Sequence, residues 1–151
     1  MSSLTFDVFT AAFLSKISEY DFLEFDDTDR DATVDEYLRR AVAQFRHVCK
    51  YDLTSAMDKG ERVFNIDIDD VDADEIVDII SEGMVMQWLK IYLNKQELLE
   101  MGLNTRDFTA YSPAELLRRV GDAYDRVKKE YIQAVREYSY NHGDLTRLHI
   151  N

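Results

Sequence analysis

At 151 residues, 46% of them hydrophobic and 12% aromatic, the chain has the length of one domain with one core. Its apolar content is enough to offset the ordering entropy that keeps poorer sequences unfolded. Thirty acidic against eighteen basic side chains give a formal charge of -12, a surface that repels a phosphate backbone and argues against direct DNA or RNA binding.

Most of the acidic surplus falls in the first 82 residues, and from Arg106 onward the balance is close to neutral. The single cysteine, Cys49, cannot form an internal disulfide, which is the usage of a reducing, cytoplasmic setting. No stretch approaches the roughly 18 continuous apolar residues of a membrane span, and no basic segment leads into an apolar signal core. The expectation is a soluble, untargeted chain.

In chain order, Phe6, Phe9, Phe13, Leu14 and Ile17 recur at three- and four-residue steps and predict a helix from Thr5, its N-cap, to Ser18. Glu19 to Ala32 interleaves acidic residues with Tyr20, Phe22, Leu23 and Phe25, and its Asp26 to Asp31 run reads as a solvated loop. Thr33-Val34-Asp35-Glu36 has the spacing of a capping box and predicts a second helix, with Leu38, Ala41, Val42, Phe45 and Val48 on its core face. Cys49 falls on that apolar side.

Phe64, Ile66 and Ile68 then alternate with polar residues as on a half-buried strand, with Gly60 in the preceding turn. With no second clear strand to pair with it, this segment reads as an exposed extended arm or a small hairpin. An unpaired edge there is a place for another subunit to add.

A third helix opens at Asp72, with Glu75 at its third position, and carries Ile76, Ile79, Ile80, Met84, Trp88 and Ile91 to about Asn94. It is the most buried helix expected, and Gly83 in mid-stripe allows a close helix crossing. A short helical turn at Gln96 to Met101 and a polar connection, Asn104 to Tyr111, follow. Ser112-Pro113-Ala114-Glu115 combines an N-cap Ser, Pro at the first helical position and Glu at the third.

The stripe Leu116, Leu117, Val120, Ala123, Tyr124, Val127, Tyr131, Ala134, Val135 and Tyr138 makes a rod of about 40 Å at 1.5 Å per residue. Such a rod either contacts something outside the monomer or covers the whole bundle. Beyond Gly143 the chain breaks the helical pattern and alternates apolar and polar residues, as an extended tail offered to a partner. Tyr131, Tyr138 and Tyr140 are either core edge or interface aromatics.

Chemistry-bearing motifs are incomplete. Asp27, Asp29 and Asp31, and again Asp70, Asp72 and Asp74, space carboxylates as calcium loops do, but the required Gly and bidentate Glu are missing from both. His47, His142 and His149 are far apart in sequence and Cys49 has no companion for a zinc set. Neither a nucleophile elbow nor a phosphate-binding glycine loop occurs. No metal, no cofactor and no enzymatic activity are expected.

Arg118, Arg119, Arg126, Lys128 and Lys129 lie three or four residues from Glu115, Asp122, Asp125 and Glu130, so they read as a mixed solvated helix face or as partners for the acidic face of a neighbouring copy.

The run Leu103-Asn104-Thr105-Arg106-Asp107-Phe108-Thr109-Ala110-Tyr111-Ser112-Pro113-Ala114-Glu115-Leu116-Leu117 resembles a pattern in the head-tail connector, or adaptor, proteins of tailed bacteriophages. There a short Asp-Phe segment and Tyr-Ser-Pro-Ala lead into a long terminal helix. Phe9 to Phe22 is similar to the opening helix of that family.

Periodicity thus gives an all-α fold of about four helices with a long C-terminal helix, residues 1–142 as one domain and 143–151 as a tail, and the resemblance implies a small helical protein whose tail docks on a partner. It also implies a ring, commonly of twelve copies, under the portal protein in the virion neck, assembled in the host cytoplasm and joined below to a neck or tail protein. DNA would pass through its channel without specific binding, and no membrane is involved. Leu145, Leu148 and Ile150 would dock on the portal, while Phe64, Ile66, Ile68, Arg118 and Arg119 are candidate contacts between subunits. The alternative from another class is an acidic DNA mimic that occupies the basic groove of a DNA-binding partner.

Overall fold

The computed structural model describes residues 2–20, 30–94 and 113–142. Strand β1 (Ser2–Thr5) runs into helix α1 (Phe6–Ile17), and helix α2 (Arg30–Phe45) is followed by the single turn α3 (Leu53–Ala56). Strands β2 (Met57–Asp58) and β3 (Val63–Ile68) come next, then the long helices α4 (Asp70–Asn94) and α5 (Pro113–His142). The fold is mostly helical, with a long C-terminal helix and a three-stranded sheet in the order β1-β3-β2.

Helix α4 is the axis of the bundle, with α1, α2 and α5 packed around it. Its apolar residues do not keep to one face: Ile76, Ile80, Met84, Val85, Met86, Trp88 and Leu89 are all buried, as a helix covered on several sides requires. Ser81, also buried, donates its hydroxyl proton to the Asp78 carbonyl at 2.9 Å, so the helix satisfies its own buried polar group. Gly83 marks the crossing. A Cβ there would stand 3.1 Å from Tyr131 Cε1 of α5 and 3.4 Å from Ala41 Cβ of α2, so the missing side chain lets three helices meet.

The alternation of Phe64, Ile66 and Ile68 forms a strand, but not an exposed one. Leu4 pairs with Phe64 and Thr5 with Val63 on one side, and Met57 and Asp58 pair with the same two residues on the other. Hence β2 and β3 make a small hairpin and β1 covers the remaining edge. Phe64 and Ile68 have no exposed surface and Ile66 packs partly against the core. Phe64 stacks within 5.2 Å of Phe6 and 5.4 Å of Phe9. Within the monomer Phe64 and Ile68 are core side chains, and Ile66 keeps part of its surface open.

Two expected caps are also different. Thr5 has extended backbone and makes no side-chain cap. The Phe6 N–H instead donates to the Arg62 carbonyl at 2.8 Å, so sheet pairing starts the helix. The capping box at Thr33 does not form, because α2 already runs from Arg30 and Glu36 is turned to Arg39 and Arg40 on its own helix.

In the β2–β3 turn, Asp58 Oδ1 accepts from the N–H groups of Gly60 and Glu61. Arg62 takes a left-handed φ of 56°. Its guanidinium grips Asp35 of α2 through two hydrogen bonds, at 2.8 and 2.9 Å, and reaches Asp7 of α1 at 2.8 Å, which fastens the turn to two helices.

Helix α5 lies along the bundle. Leu116, Val120, Ala123, Val127, Tyr131 and Tyr138 are buried from near one end of α5 to near the other, along a stripe at helical spacing. Among the described residues, no helix is long and apolar enough to cross a membrane.

Candidate functional site

The end of α5 meets the first turn of α4 in a polar cluster that also takes in the residues just after α2. Helix α2 stops when the N–H groups of Val48 and Cys49 both turn back to the Phe45 carbonyl, which brings Lys50 and Tyr51 beside the first turn of α4. Tyr138 of α5 inserts here, fully buried, with its ring 5.0 Å from Phe45. Its hydroxyl accepts the Lys50 N–H at 3.0 Å.

One helical turn further, the His142 ring lies 4.4 Å from the Tyr138 ring and its Nε2 lies 2.7 Å from Glu75 Oε1. Tyr51 donates its hydroxyl proton to Asp72 Oδ2 at 2.6 Å, and the Lys50 ammonium is 3.6 Å from the same oxygen.

The chemistry of this cluster is that of a fastening. The Tyr51 hydrogen bond holds the Asp72 carboxyl below the usual carboxylate range and raises the Tyr51 hydroxyl in return. Burial pushes up both the Tyr138 hydroxyl and the Cys49 thiol, which stays protonated and a poor nucleophile at neutral pH. Asp72, Glu75 and His142 bring three possible ligand atoms within 4.8 Å of one another, but the Lys50 ammonium already supplies positive charge to Asp72. Asp70, Asp72 and Asp74 belong to a helical turn, where alternate side chains diverge, so they do not form a calcium loop.

Sequence reasoning missed this cluster. Asp72 was expected as an N-cap, yet α4 begins at Asp70 and Asp72 turns to Tyr51. His142 is far in sequence from the other histidines, and the fold brings it to Glu75, 67 residues away. The only prior signal was the length of the α5 stripe, which demanded that its far end rest on something.

Of the other candidate residues, Leu145, Leu148 and Ile150 lie outside the described residues, as do Asp27, Asp29, the turn at Gln96 and Ser112. Arg118 and Arg119 stand on α5 beside Glu115, at 3.9 and 3.5 Å. Tyr131 and Tyr138 are core, whereas Tyr140 is exposed. Arg126 holds Tyr20 of the α1 end through a 3.1 Å hydrogen bond, one more tie between the long helix and the body. Neither a protein-family model, a curated protein nor a solved structure matches the chain.

Proposed function

We propose that the chain is a head-tail connector protein of a tailed bacteriophage: a structural subunit of a ring beneath the portal that extends the DNA channel and offers its C-terminal segment to the portal. The observation that carries this reading is the fastened end of α5. Tyr138 and His142 hold the end of α5, up to its last described residue, to the segment after α2 and to α4. A docking segment that leaves a rigid mount loses less entropy on binding than one at the end of a frayed helix, and repetition around a ring adds avidity.

The residues that carry the family resemblance agree with this. Helix α5 starts at Pro113 of the Tyr-Ser-Pro-Ala run, and Phe9, Phe13 and Ile17 of the opening segment line one buried face. The acidic surface suits a wall that DNA must pass without adhering.

The acidic DNA-mimic reading is weaker, because many carboxylates are already engaged. Glu36 pairs with Arg39 and Arg40, Asp35 and Asp7 with Arg62, and Asp78 and Glu82 with Lys16. A mimic needs its array free for the partner's cations.

Deleting Asp144 to Asn151 tests the connector reading. The truncated protein is expected to fold with unchanged helical content and to lose attachment to the portal in a pull-down. Retained attachment, or particles no larger than a dimer for the full chain in negative-stain images, would overturn it.

A further inference from the structure

We propose that Asp72, Glu75 and His142 form a binding site for one divalent transition-metal ion of the zinc class, joining the last turn of α5 to the first turns of α4. The site does not depend on the connector reading.

Asp72 and Glu75 stand three residues apart on α4, so their side chains share one face of the helix. His142 arrives from α5, 67 residues on. One ligand atom from each lies within 4.8 Å of the other two. Around a four-coordinate zinc, with metal distances of about 2.0 to 2.2 Å, ligand atoms stand about 3.4 Å apart. Rotation of two carboxylate side chains closes a difference of that size.

The approach of the imidazole is already set. Tyr138 is fully buried, and the His142 ring lies 4.4 Å from the Tyr138 ring with Nε2 placed 2.7 Å from Glu75 Oε1. A metal takes the place of the proton between Nε2 and Oε1, and the neutral ring keeps its proton on Nδ1. All three ligand residues are partly buried, so the ion is shielded from bulk water yet has a way in.

The local field favours a cation. Residues 67–78 hold seven acidic side chains and no basic one, which outweighs the positive end of the α4 dipole. Lys50 is the competitor, with its ammonium 3.6 Å from Asp72 Oδ2. Its side chain is 52% exposed, however, and an exposed pair of this kind contributes little. The Tyr51 hydrogen bond falls on the same oxygen and keeps the carboxyl ionised.

The donor set also selects among cations. Calcium and magnesium take oxygen ligands, whereas imidazole suits zinc, nickel and copper. Three protein ligands leave a fourth position for water, the pattern of an open zinc site.

Isothermal titration of zinc chloride into the full chain, free of any histidine tag and stripped with a chelator, tests this. One ion per chain is expected, and cobalt in its place should give the strong visible absorption of a four-coordinate site. His142→Gln, and separately Glu75→Gln, should weaken zinc binding by at least about tenfold. His47→Gln, at an exposed position just past α2, should change nothing.

Lys50→Gln keeps all three ligands and removes the competing ammonium, so it should tighten zinc binding by up to about fivefold. No zinc binding by wild type, binding that survives both ligand variants, or binding lost equally with His47→Gln would overturn the site. Should a ligand variant unfold, Lys50→Gln decides, and an affinity that is unchanged or weaker overturns the proposal. None of these outcomes bears on the ring.

Discussion

Trp88 joins α4 to α1 and to the residue that follows its last turn. It meets Phe13 of α1 edge-on at 6.2 Å and Tyr20 at 6.1 Å, and is 3% exposed from its place on α4. Truncating it removes a buried aromatic that no neighbour can replace without moving a helix, so Trp88→Ala is expected to cost about 3 to 5 kcal/mol. Urea unfolding followed by circular dichroism measures this. A loss under about 1 kcal/mol would show that the site collapses around the void.

The Asp72–Tyr51 bond makes a second prediction at this scale. The folded Asp72 carboxyl titrates below the about 3.9 of a free Asp. Its contribution is therefore fully present above that value and is lost as pH falls through the lower folded one. Tyr51→Phe is expected to cost about 1 to 2 kcal/mol at neutral pH. The gap between Tyr51→Phe and wild-type melting temperatures should narrow as the solution is taken below about pH 3.9. A gap that stays constant down to strong acid would show that the hydroxyl stabilises the fold by packing alone.

Among the elements, the two glycines of the long helices make opposite predictions. Gly121 of α5 has nothing within 4 Å of where a Cβ would stand, so Gly121→Ala adds helix propensity without a clash and should stabilise by about 0.5 to 1 kcal/mol. Gly83 of α4 has Tyr131 and Ala41 against it, so Gly83→Leu should destabilise by about 2 kcal/mol or more, as overpacked cores do. Thermal melts of both variants check the pair, and a stable Gly83→Leu would mean that the three-helix crossing is loose.

The same elements show how far the fold could be read from sequence. The core faces of α1, α2, α4 and α5 were legible because each repeats apolar residues over several turns, so a local pattern carries the burial. Strand β1 was not, since Ser2-Ser3-Leu4-Thr5 offers one large apolar side chain and becomes a strand only because β3 leaves an edge beside it. For the same reason Phe64 and Ile68 could be placed on a strand but not in the interior. The fastening at the end of α5 was illegible for a different reason. Its members come from three separate stretches of chain, and Asp72 looked like a cap until Tyr51 arrived to claim it.

At the scale of the whole molecule, the charge makes the prediction. With -12 overall and most cations of the first half held in internal pairs, the free protein is expected to show no duplex DNA binding at about 150 mM salt, as measured by fluorescence anisotropy. Micromolar binding that weakens steeply with added salt would contradict this and point to a DNA-binding regulator.

Helix α4, buried on several sides, has a consequence for how the molecule is made. Its cover comes from α1 and α2, synthesised before it, and from α5, synthesised after it. Until then the flank that Val120, Val127 and Tyr131 will cover is bare, and a nascent chain paused ahead of Pro113 carries an open apolar trough. Chaperone capture should therefore be strong in that interval, and a premature stop early in α5 should give an aggregating fragment rather than a smaller folded protein.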